Sequence, residues 1–483
     1  MKLKQLSWIA LSILLSLFYL AVELPLLDSL PIILTDESWY ANTAYNWIQG
    51  QGLINTNTGW RGGDQLFLWT IFNGAFFKLL GTSLYIGRLA SVLLGLVSLW
   101  GLIASLKKLA VSKYGVVLTS SLWIFSNVFY ILFRRLRPES LLISLSIWAL
   151  YFLICHLQSK RRMPIFISSL FIGLSVLSHP NGVIMIIIVG LFLLLEEGRW
   201  KNILVYSSGL LLMAVFFVLG WQLLKDVSFL SFIQEMLHDK RTSVSGNPLT
   251  TFIINCRDII PAYTLGLKRA YMLCAELGIL VYGLFYYKSK PLTAKLSLLG
   301  LLYFFTAFLL LNPFFRAGFG VIIIFSFLVF ATLCDTLYKP LILLYFANTL
   351  AGDIFLVKKD YRNTSFETLS HTLAAIVPKN SIVLTHIQFW FPFKDSQNYN
   401  SNTNWSTTPY KDVSEFAQKS HIDYVVITDE FAKEISPTTG KKQDLYAGGF
   451  GAYYTKALKI AQKGTLIKTI PAQGYGVIQV WKL

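Results

Sequence analysis

Residues 35–41 read Thr-Asp-Glu-Ser-Trp-Tyr-Ala, and they follow a long apolar run at residues 7–30. The run has the length that a helix needs to cross the roughly 30 Å hydrocarbon core of a bilayer. It is long for a signal peptide and lacks a small-residue cleavage pattern, although a cleaved signal peptide remains the alternative. Two carboxylates therefore stand at a membrane surface, just beyond the first predicted span.

A helix is expected to begin at this acidic stretch. Its apolar positions recur at helical spacing and the pattern ends at Gly50-Gln51-Gly52. Aromatic side chains favour the membrane–water boundary, so we expect this helix to lie along the interface. The residues that carry the pattern are Tyr40, Ala44, Trp47 and Ile48.

The composition of the whole chain agrees with a polytopic membrane protein. Of 483 residues, 54% are hydrophobic and only 14% are charged, and the mean hydropathy is +0.56. Soluble domains carry about 25% charged residues. The apolar runs are confined to the first 350 residues or so, whereas residues 358–483 contain none. We therefore predict a transmembrane domain at 1–357, with an outer juxtamembrane loop at 31–82, and a soluble extracytoplasmic α/β domain at 358–483.

Eleven spans are predicted, and segment 66–80 is interpreted as a juxtamembrane helix. Most of the loops assigned to the inside are short and carry Lys and Arg without acidic residues, which favours an N-terminus inside. The last span contains Asp353, and the tail lies outside if that span crosses. The spans are 7–30, 84–106, 115–133, 138–157, 164–178, 181–196, 202–224, 271–287, 293–311, 318–338 and 341–357.

Net charge and cysteines exclude other classes of function. Much of the net charge of +17 lies at helix ends, so it indicates membrane topology and contact with anionic lipids or phosphates rather than nucleic acid. Four cysteines without a Cys-x-x-Cys pair predict neither a disulfide framework nor a cysteine–metal site. His371, His386 and His421 have no metal-ligand spacing, and we interpret them as structural. The sequence requires no cofactor, although a divalent metal could assist.

Polar groups of chemical interest gather in the segments assigned to the outside. Asp36 and Glu37 could cap a helix N-terminus, or one of them could act as a general base at the membrane surface. Arg61 could bind a phosphate and Asp64 could supply a further acidic group, or both could belong to an ordinary loop.

A cluster of arginines on the outer side runs against the usual placement of positive charge. Arg134, Arg135 and Arg137 precede Glu139, which could pair with one of them. An anionic partner explains the cluster because the planar guanidinium matches phosphate oxygens, and contact with lipid head groups is the alternative. Arg316 is a further outer cation.

The turn Ser178-His179-Pro180-Asn181-Gly182 joins two predicted spans on the same side. A single histidine in a turn is often structural, but the position of His179 and Asn181 makes them site candidates. The tail is predicted to contain helices at 364–377 and 411–420, strands at 381–385 and 424–428, and a hairpin of 466–470 with 477–481.

Asp36, Glu37 and Tyr40 form an Asp-Glu-x-x-Tyr pattern that resembles the first outer loop of C-type-fold glycosyltransferases using lipid-linked sugars. This superfamily contains the protein O-mannosyltransferases and the aminoarabinose transferase that modifies lipid A. Residues 135–139 and 179–182 also resemble outer-side features of its bacterial members. The resemblance covers the membrane domain, and the tail is similar in placement to a soluble outer domain.

The resemblance implies a polyprenyl- or dolichyl-phosphate sugar as donor, Asp36 as the catalytic acidic residue and Glu37 in support. Related enzymes often carry Lys-Pro-Pro where this chain has Gly63-Asp64-Gln65, and the aminoarabinose enzymes tend to have Arg where it has Trp39. The residue that holds the lipid phosphate therefore stays open among Arg61, the 134–137 cluster and Arg316.

The sequence thus favours inverting sugar transfer from a polyprenyl phosphate to a glycan, lipid or protein acceptor. We expect this reaction at the extracytoplasmic face of a bacterial inner membrane. A non-enzymatic transporter or flippase of lipid-linked sugars is the alternative. A transporter explains less well why acidic and basic groups gather on one side and why a soluble domain follows.

Overall fold

The computed structural model describes residues 6–33, 35–56, 67–224, 268–310, 316–334, 339–400, 421–430 and 450–483. Within these residues the first three-quarters of the chain are almost entirely helical. The helices are α1 (Trp8–Glu23), α2 (Thr35–Ile48), α3 (Phe67–Leu80), α4 (Leu84–Lys108), α5 (Lys113–Ile124), α6 (Asn127–Phe133), α7 (Glu139–Ser159), α8 (Met163–Ser178), α9 (Gly182–Leu194), α10 (Arg199–Leu224), α11 (Lys268–Leu284), α12 (Pro291–Leu310), α13 (Arg316–Leu333) and α14 (Lys339–Asp360).

Every segment predicted to span or flank the membrane coincides with a helix or a pair of helices. Among the described residues, four helices (α4, α7, α10 and α12) are long and apolar enough to cross a bilayer, and the pair α5–α6 makes a fifth if it forms one span. Several others are apolar but shorter, so the number of spans stays a prediction.

One predicted span is broken. Segment 115–133 forms α5 and α6, which meet at an angle of 61°. The break falls at Phe125 and Ser126, just before Asn127 begins α6, and serine and asparagine are unfavourable in helix interiors. The bend leads α6 into the arginine-rich loop at residues 134–138.

Helix α4 packs against several other helices of the membrane domain, namely α1, α3, α5, α6 and α7. Gly95 allows this close approach, because a Cβ there would lie 1.8 Å from the hydroxyl of Tyr19 and 2.7 Å from the ring of Phe133. At the start of α4, the hydroxyl of Ser83 accepts a hydrogen bond from Ile86 N–H and caps the helix.

The tail contains a small mixed sheet with helices beside it. Its elements are α15 (Phe366–Ile376), β1 (Ile382–Thr385), short 3₁₀ turns at Ile387–Phe389 and Phe391–Phe393, β2 (Gln397–Asn400), β3 (Tyr424–Thr428), α16 (Phe450–Ala461), β4 (Thr465–Ala472) and β5 (Gly476–Lys482). The strand order is β2-β1-β3-β5-β4. β1 pairs in parallel with β2 and β3, and β5 pairs antiparallel with β3 and β4.

The structure confirms the predicted helix at 364–377, the strands at 381–385 and 424–428 and the terminal hairpin. β2 and α16 were not predicted, and the predicted helix at 411–420 lies outside the described residues. β2 has the polar sequence Gln-Asn-Tyr-Asn, which lacks the alternation that indicates a strand.

The tail packs directly on α2 and α3. One apolar cluster joins Trp69 of α3 to Phe366 and Trp390 of the tail. Ser38 donates to the Gln388 carbonyl at 3.2 Å, and the Gln388 side chain donates to the Ile33 carbonyl at 3.3 Å. Helix α2, which carries the acidic motif, thus contacts both the helical bundle and the tail.

Candidate active site

The acidic pair lies in the first turn of α2, where the helix dipole favours negative charge. Neighbouring residues of a helix point in different directions, and here the difference is large. The side chain of Asp36 is 45% exposed, whereas that of Glu37 is completely buried. The two carboxylates therefore lie in different environments.

Glu37 forms a buried ion pair with Arg88 of α4. The guanidinium Nε donates to Oε1 and Nη2 donates to Oε2, both at 2.9 Å. Oε1 also accepts the backbone N–H of Leu136 at 3.0 Å, and Arg88 Nη1 donates to the Leu27 carbonyl at 2.9 Å. The pair thus ties α2, α4, the α1–α2 connection and the arginine-rich loop together.

Asp36 faces Arg137, which that loop presents. Arg137 Nη1 lies 3.4 Å from Asp36 Oδ2, while Nη2 and Nε lie 2.6 Å and 3.1 Å from the two oxygens of Glu139. Burial alone would lower the pKa of Arg137, but Glu139 and then Asp36 outweigh it and raise the pKa above its usual value. Arg137 is therefore a permanent cation held between two carboxylates.

His179 and Asn181 approach the same cluster from the α8–α9 turn. Burial lowers the pKa of His179, and the charge of Arg137 adds to this effect although Glu139 opposes it. The backbone N–H of Asn181 donates to His179 Nδ1 at 3.2 Å, so the proton of the neutral imidazole is assigned to Nε2. Tyr40, one turn along α2 from Asp36, also interacts electrostatically with Arg137. One connected cluster with Arg137 at its centre thus contains six of the predicted site residues: Asp36, Tyr40, Arg137, Glu139, His179 and Asn181.

Comparison with known proteins identifies the fold in which this cluster of residues lies. Residues 66–221 match a family model described as dolichyl-phosphate-mannose-protein mannosyltransferase. ArnT from Cupriavidus metallidurans bound to undecaprenyl phosphate superposes with a TM-score of 0.64 at 12% identity, covering 88% of this chain and 94% of that one. The chain has the C-type glycosyltransferase fold. This confirms the resemblance that the acidic motif indicated.

A second structure supports the same fold. The oligosaccharyltransferase AglB from Archaeoglobus fulgidus, in complex with an inhibitory peptide and a dolichol-phosphate, matches with a TM-score of 0.55 at 12% identity, covering 98% of this chain and 80% of that one. A search of curated proteins gave no match. With its apolar helices and this C-type glycosyltransferase fold, the chain is an integral membrane protein.

Arg134 does not have the phosphate-binding role that the sequence predicted for it. Its side chain is completely buried, and Nε donates to the Leu30 carbonyl at 3.1 Å. Its terminal nitrogens donate to the carbonyls of Val22, Glu23 and Pro25. The guanidinium therefore fixes the α1–α2 connection and is not available to a phosphate.

The remaining predictions have different outcomes. Glu37, predicted as a catalytic residue, is completely buried, where it pairs with Arg88 and accepts the Leu136 N–H. Arg135 is half-buried in that loop, and its carbonyl accepts the N–H of Arg137 at 2.9 Å. Arg61 and Asp64 lie outside the described residues, and so does the side chain of Arg316, whose backbone begins α13.

Arg88 is the site residue that the sequence did not single out. It lies inside the predicted span at 84–106, where an arginine is costly and so usually functional. This placement of Arg88 was visible in the sequence, but its partner Glu37 could be identified only from the folded structure. In the part of the chain that the structure describes, no three His, Cys, Asp or Glu side chains converge in a way that could hold a metal ion.

Proposed function

We propose that this protein transfers a sugar from a polyprenyl phosphate to an acceptor at the outer face of the membrane. The observation that carries the proposal is the pairing of an exposed carboxylate, Asp36, with the cation Arg137 at 3.4 Å. Support comes from the shared fold with ArnT bound to undecaprenyl phosphate and AglB in complex with a dolichol-phosphate. The match of residues 66–221 to a dolichyl-phosphate-mannose-dependent family points the same way.

Asp36 acts as the general base in this proposal. It accepts the proton of the acceptor's nucleophilic atom as that atom bonds to the anomeric carbon of the donor sugar. The bond from the anomeric carbon to the phosphate oxygen breaks at the same time, on the opposite face, so the configuration inverts. Negative charge develops on the departing lipid phosphate, where Arg137 stabilises it.

The geometry of Arg137 explains how donor binding would prepare the base. Glu139 holds the guanidinium at 2.6 Å and 3.1 Å, whereas Asp36 is held by one longer contact of 3.4 Å. A donor phosphate therefore replaces Asp36 rather than Glu139. The exchange frees the Asp36 carboxylate for the acceptor, so donor binding precedes proton transfer.

Localisation and domain division are part of the proposal. The positive charge of the short loops favours an N-terminus inside the cell, which puts α2, the arginine-rich loop and the tail outside. We place the chain in a bacterial inner membrane, with membrane lipids around residues 1–357 and residues 358–483 as an extracytoplasmic domain. No role for nucleic acid is proposed.

A label-release experiment tests the function. The full chain is reconstituted in vesicles with radiolabelled undecaprenyl-phosphate mannose, glucose or aminoarabinose, and a crude cell-envelope extract serves as the acceptor pool. The proposal predicts that label leaves the lipid fraction with at least one donor. Label that crosses the bilayer but stays on the lipid with every donor would refute the proposal and favour a flippase.

A further inference from the structure

Asn181 lies in a rigid turn at the edge of the site. The N–H of His179 donates to the Ser175 carbonyl at 2.9 Å, and the N–H of Gly182 donates to the His179 carbonyl at 2.9 Å. A Cβ on Gly182 would come within 2.6 Å of the Ser175 hydroxyl, so the turn packs tightly on the end of α8. The backbone around Asn181 is therefore fixed.

The side-chain amide of Asn181 is buried, and the described residues give it no hydrogen-bond partner. The residue is 1% exposed, and neither Nδ2 nor Oδ1 bonds to any residue that the structure describes. Buried amides in native proteins are nearly always satisfied, and an unsatisfied one costs stability. An orphaned amide beside a catalytic cluster thus indicates a bound group that completes it.

Helix capping does not account for this asparagine. Asn181 occupies the N-cap position of α9, where asparagine usually accepts a backbone N–H. Here its backbone is helical (φ −61°, ψ −18°) and the side chain makes no capping bond. The first N–H groups of α9 are bonded instead to the carbonyls of the turn, including Ile184 N–H to Asn181 O at 3.2 Å. The amide is left for another partner.

The location of Asn181 connects it to the reacting groups. Its own N–H bonds to His179, which interacts with Glu139 and Arg137, and Arg137 contacts Asp36. Helix α8, which leads into the turn, also packs against α3 of the outer loop. A donor whose phosphate lies on Arg137 would therefore place its sugar near this turn.

The chemistry of the amide selects among possible ligands. A primary amide presents a donor and an acceptor side by side. A phosphate would satisfy only the N–H, and a prenyl chain would satisfy neither atom. Two adjacent hydroxyl groups of a sugar satisfy both, because one accepts from Nδ2 and the other donates to Oδ1.

We propose that the Asn181 amide binds two adjacent hydroxyl groups of the donor's sugar and so contributes to sugar specificity. The proposal rests on the proposed function, since it requires a glycosyl phosphate on Arg137. It assigns to Asn181 a substrate contact that distinguishes a sugar-loaded lipid phosphate from a bare one.

The test compares Asn181→Leu with wild type in binding two probes, undecaprenyl phosphate and undecaprenyl-phosphate mannose, glucose or aminoarabinose, whichever sugar the wild type prefers. Loss of two hydrogen bonds should weaken binding of the sugar-loaded lipid by about 10-fold to 100-fold. Bare undecaprenyl phosphate should bind within about twofold of wild type, because Arg137 is untouched. Asn181→Ala provides a second, smaller variant with the same expectation.

Asn127→Leu is the matched control, since Asn127 is also a buried asparagine, at the opposite end of α6 from the arginine-rich loop. It should leave the binding of both lipids unchanged. Because an unsatisfied amide is removed, Asn181→Leu should unfold at or above the wild-type temperature. Equal weakening of both lipids, unchanged binding of the sugar-loaded lipid, or a marked loss of stability in both Asn181 variants overturns the proposal. A wild-type protein that binds neither lipid instead contradicts the proposed function.

Discussion

Replacing Glu37 with glutamine should destabilise the outer half of the bundle more than any exposed carboxylate substitution. Glu37 and Arg88 are both completely buried and share two hydrogen bonds of 2.9 Å. Glutamine keeps the shape of the side chain but leaves the guanidinium as a buried charge without its counter-ion. Removing one partner of such a pair costs about 3–5 kcal/mol, against a total stability of about 5–15 kcal/mol for a typical domain.

The loss should extend to the loop that presents Arg137. Glu37 Oε1 accepts the Leu136 N–H at 3.0 Å. In Glu37→Gln, the side-chain NH2 group cannot accept this hydrogen bond when it occupies the Oε1 position. Sugar transfer should therefore decline together with stability. Arg88→Met should be similarly harmful, because it leaves the Glu37 carboxylate buried and unpaired.

Unfolding in mixed micelles of increasing SDS fraction measures the free energies, and a double-mutant cycle separates the pair from its surroundings. The variant Glu37→Gln with Arg88→Met should be more stable than the sum of the single losses predicts, by about 2 kcal/mol or more. A Glu37→Gln protein within about 1 kcal/mol of wild type, with normal transfer, would refute the reasoning.

Three further predictions concern other parts of the fold. Gly87→Ala would place a Cβ 1.8 Å from the Leu136 side chain, so it should cost about 1–3 kcal/mol in SDS unfolding and reduce transfer, whereas Gly278→Ala, with open space around it, should not. Arg134→Met should lower the unfolding temperature without a specific change in donor KM, because the buried guanidinium donates to backbone carbonyls at the end of α1 and in the α1–α2 connection. Burial lowers the pKa of His386 to about 3, while an unfolded histidine titrates near 6.5. The tail should therefore have its full stability above about pH 6.5, and its free energy of unfolding should fall by about 1.4 kcal/mol per pH unit below that. His386→Gln should remove this slope, as measured by thermal unfolding at a series of pH values.

The helical part of the fold follows from hydrophobic runs, and this is why the segments were predictable. A run of apolar residues long enough to cross a bilayer leaves the backbone one way to satisfy its hydrogen bonds there. The break between α5 and α6 was missed because Ser126 and Asn127 are too few polar residues to interrupt a hydropathy pattern. Strand β2 was missed for the opposite reason, since its pairing with β1 and not its own sequence makes it a strand.

The candidate site was predictable in its composition but not in its division of roles. Asp36 and Glu37 are adjacent acidic residues, and only the packing of α2 against α4 decides which of them faces substrate. Arg134 and Arg137 are separated by two residues in one loop. The first turns inward to backbone carbonyls and the second outward to Asp36, and no local pattern distinguishes them.

The docking of the tail on α2 depends on contacts between residues about 350 positions apart, such as Ser38 with Gln388. Such pairs leave no periodic signal in one sequence. The tail was predicted as a separate domain, and its contact with the acidic helix became visible only in the folded chain.

The most direct test of the account is sugar transfer by purified Asp36→Asn protein with the donor that the wild type uses. Asparagine keeps the shape of the side chain and cannot accept the acceptor's proton, so the rate should fall by at least about 100-fold. The donor should bind at least as tightly as to wild type, because residue 36 no longer competes for Arg137, and the unfolding temperature should stay near wild type. Glu367→Gln, which changes a partly exposed carboxylate of the tail, is the matched control and should transfer normally. Transfer by Asp36→Asn at the wild-type rate would contradict the assignment of Asp36 as the base.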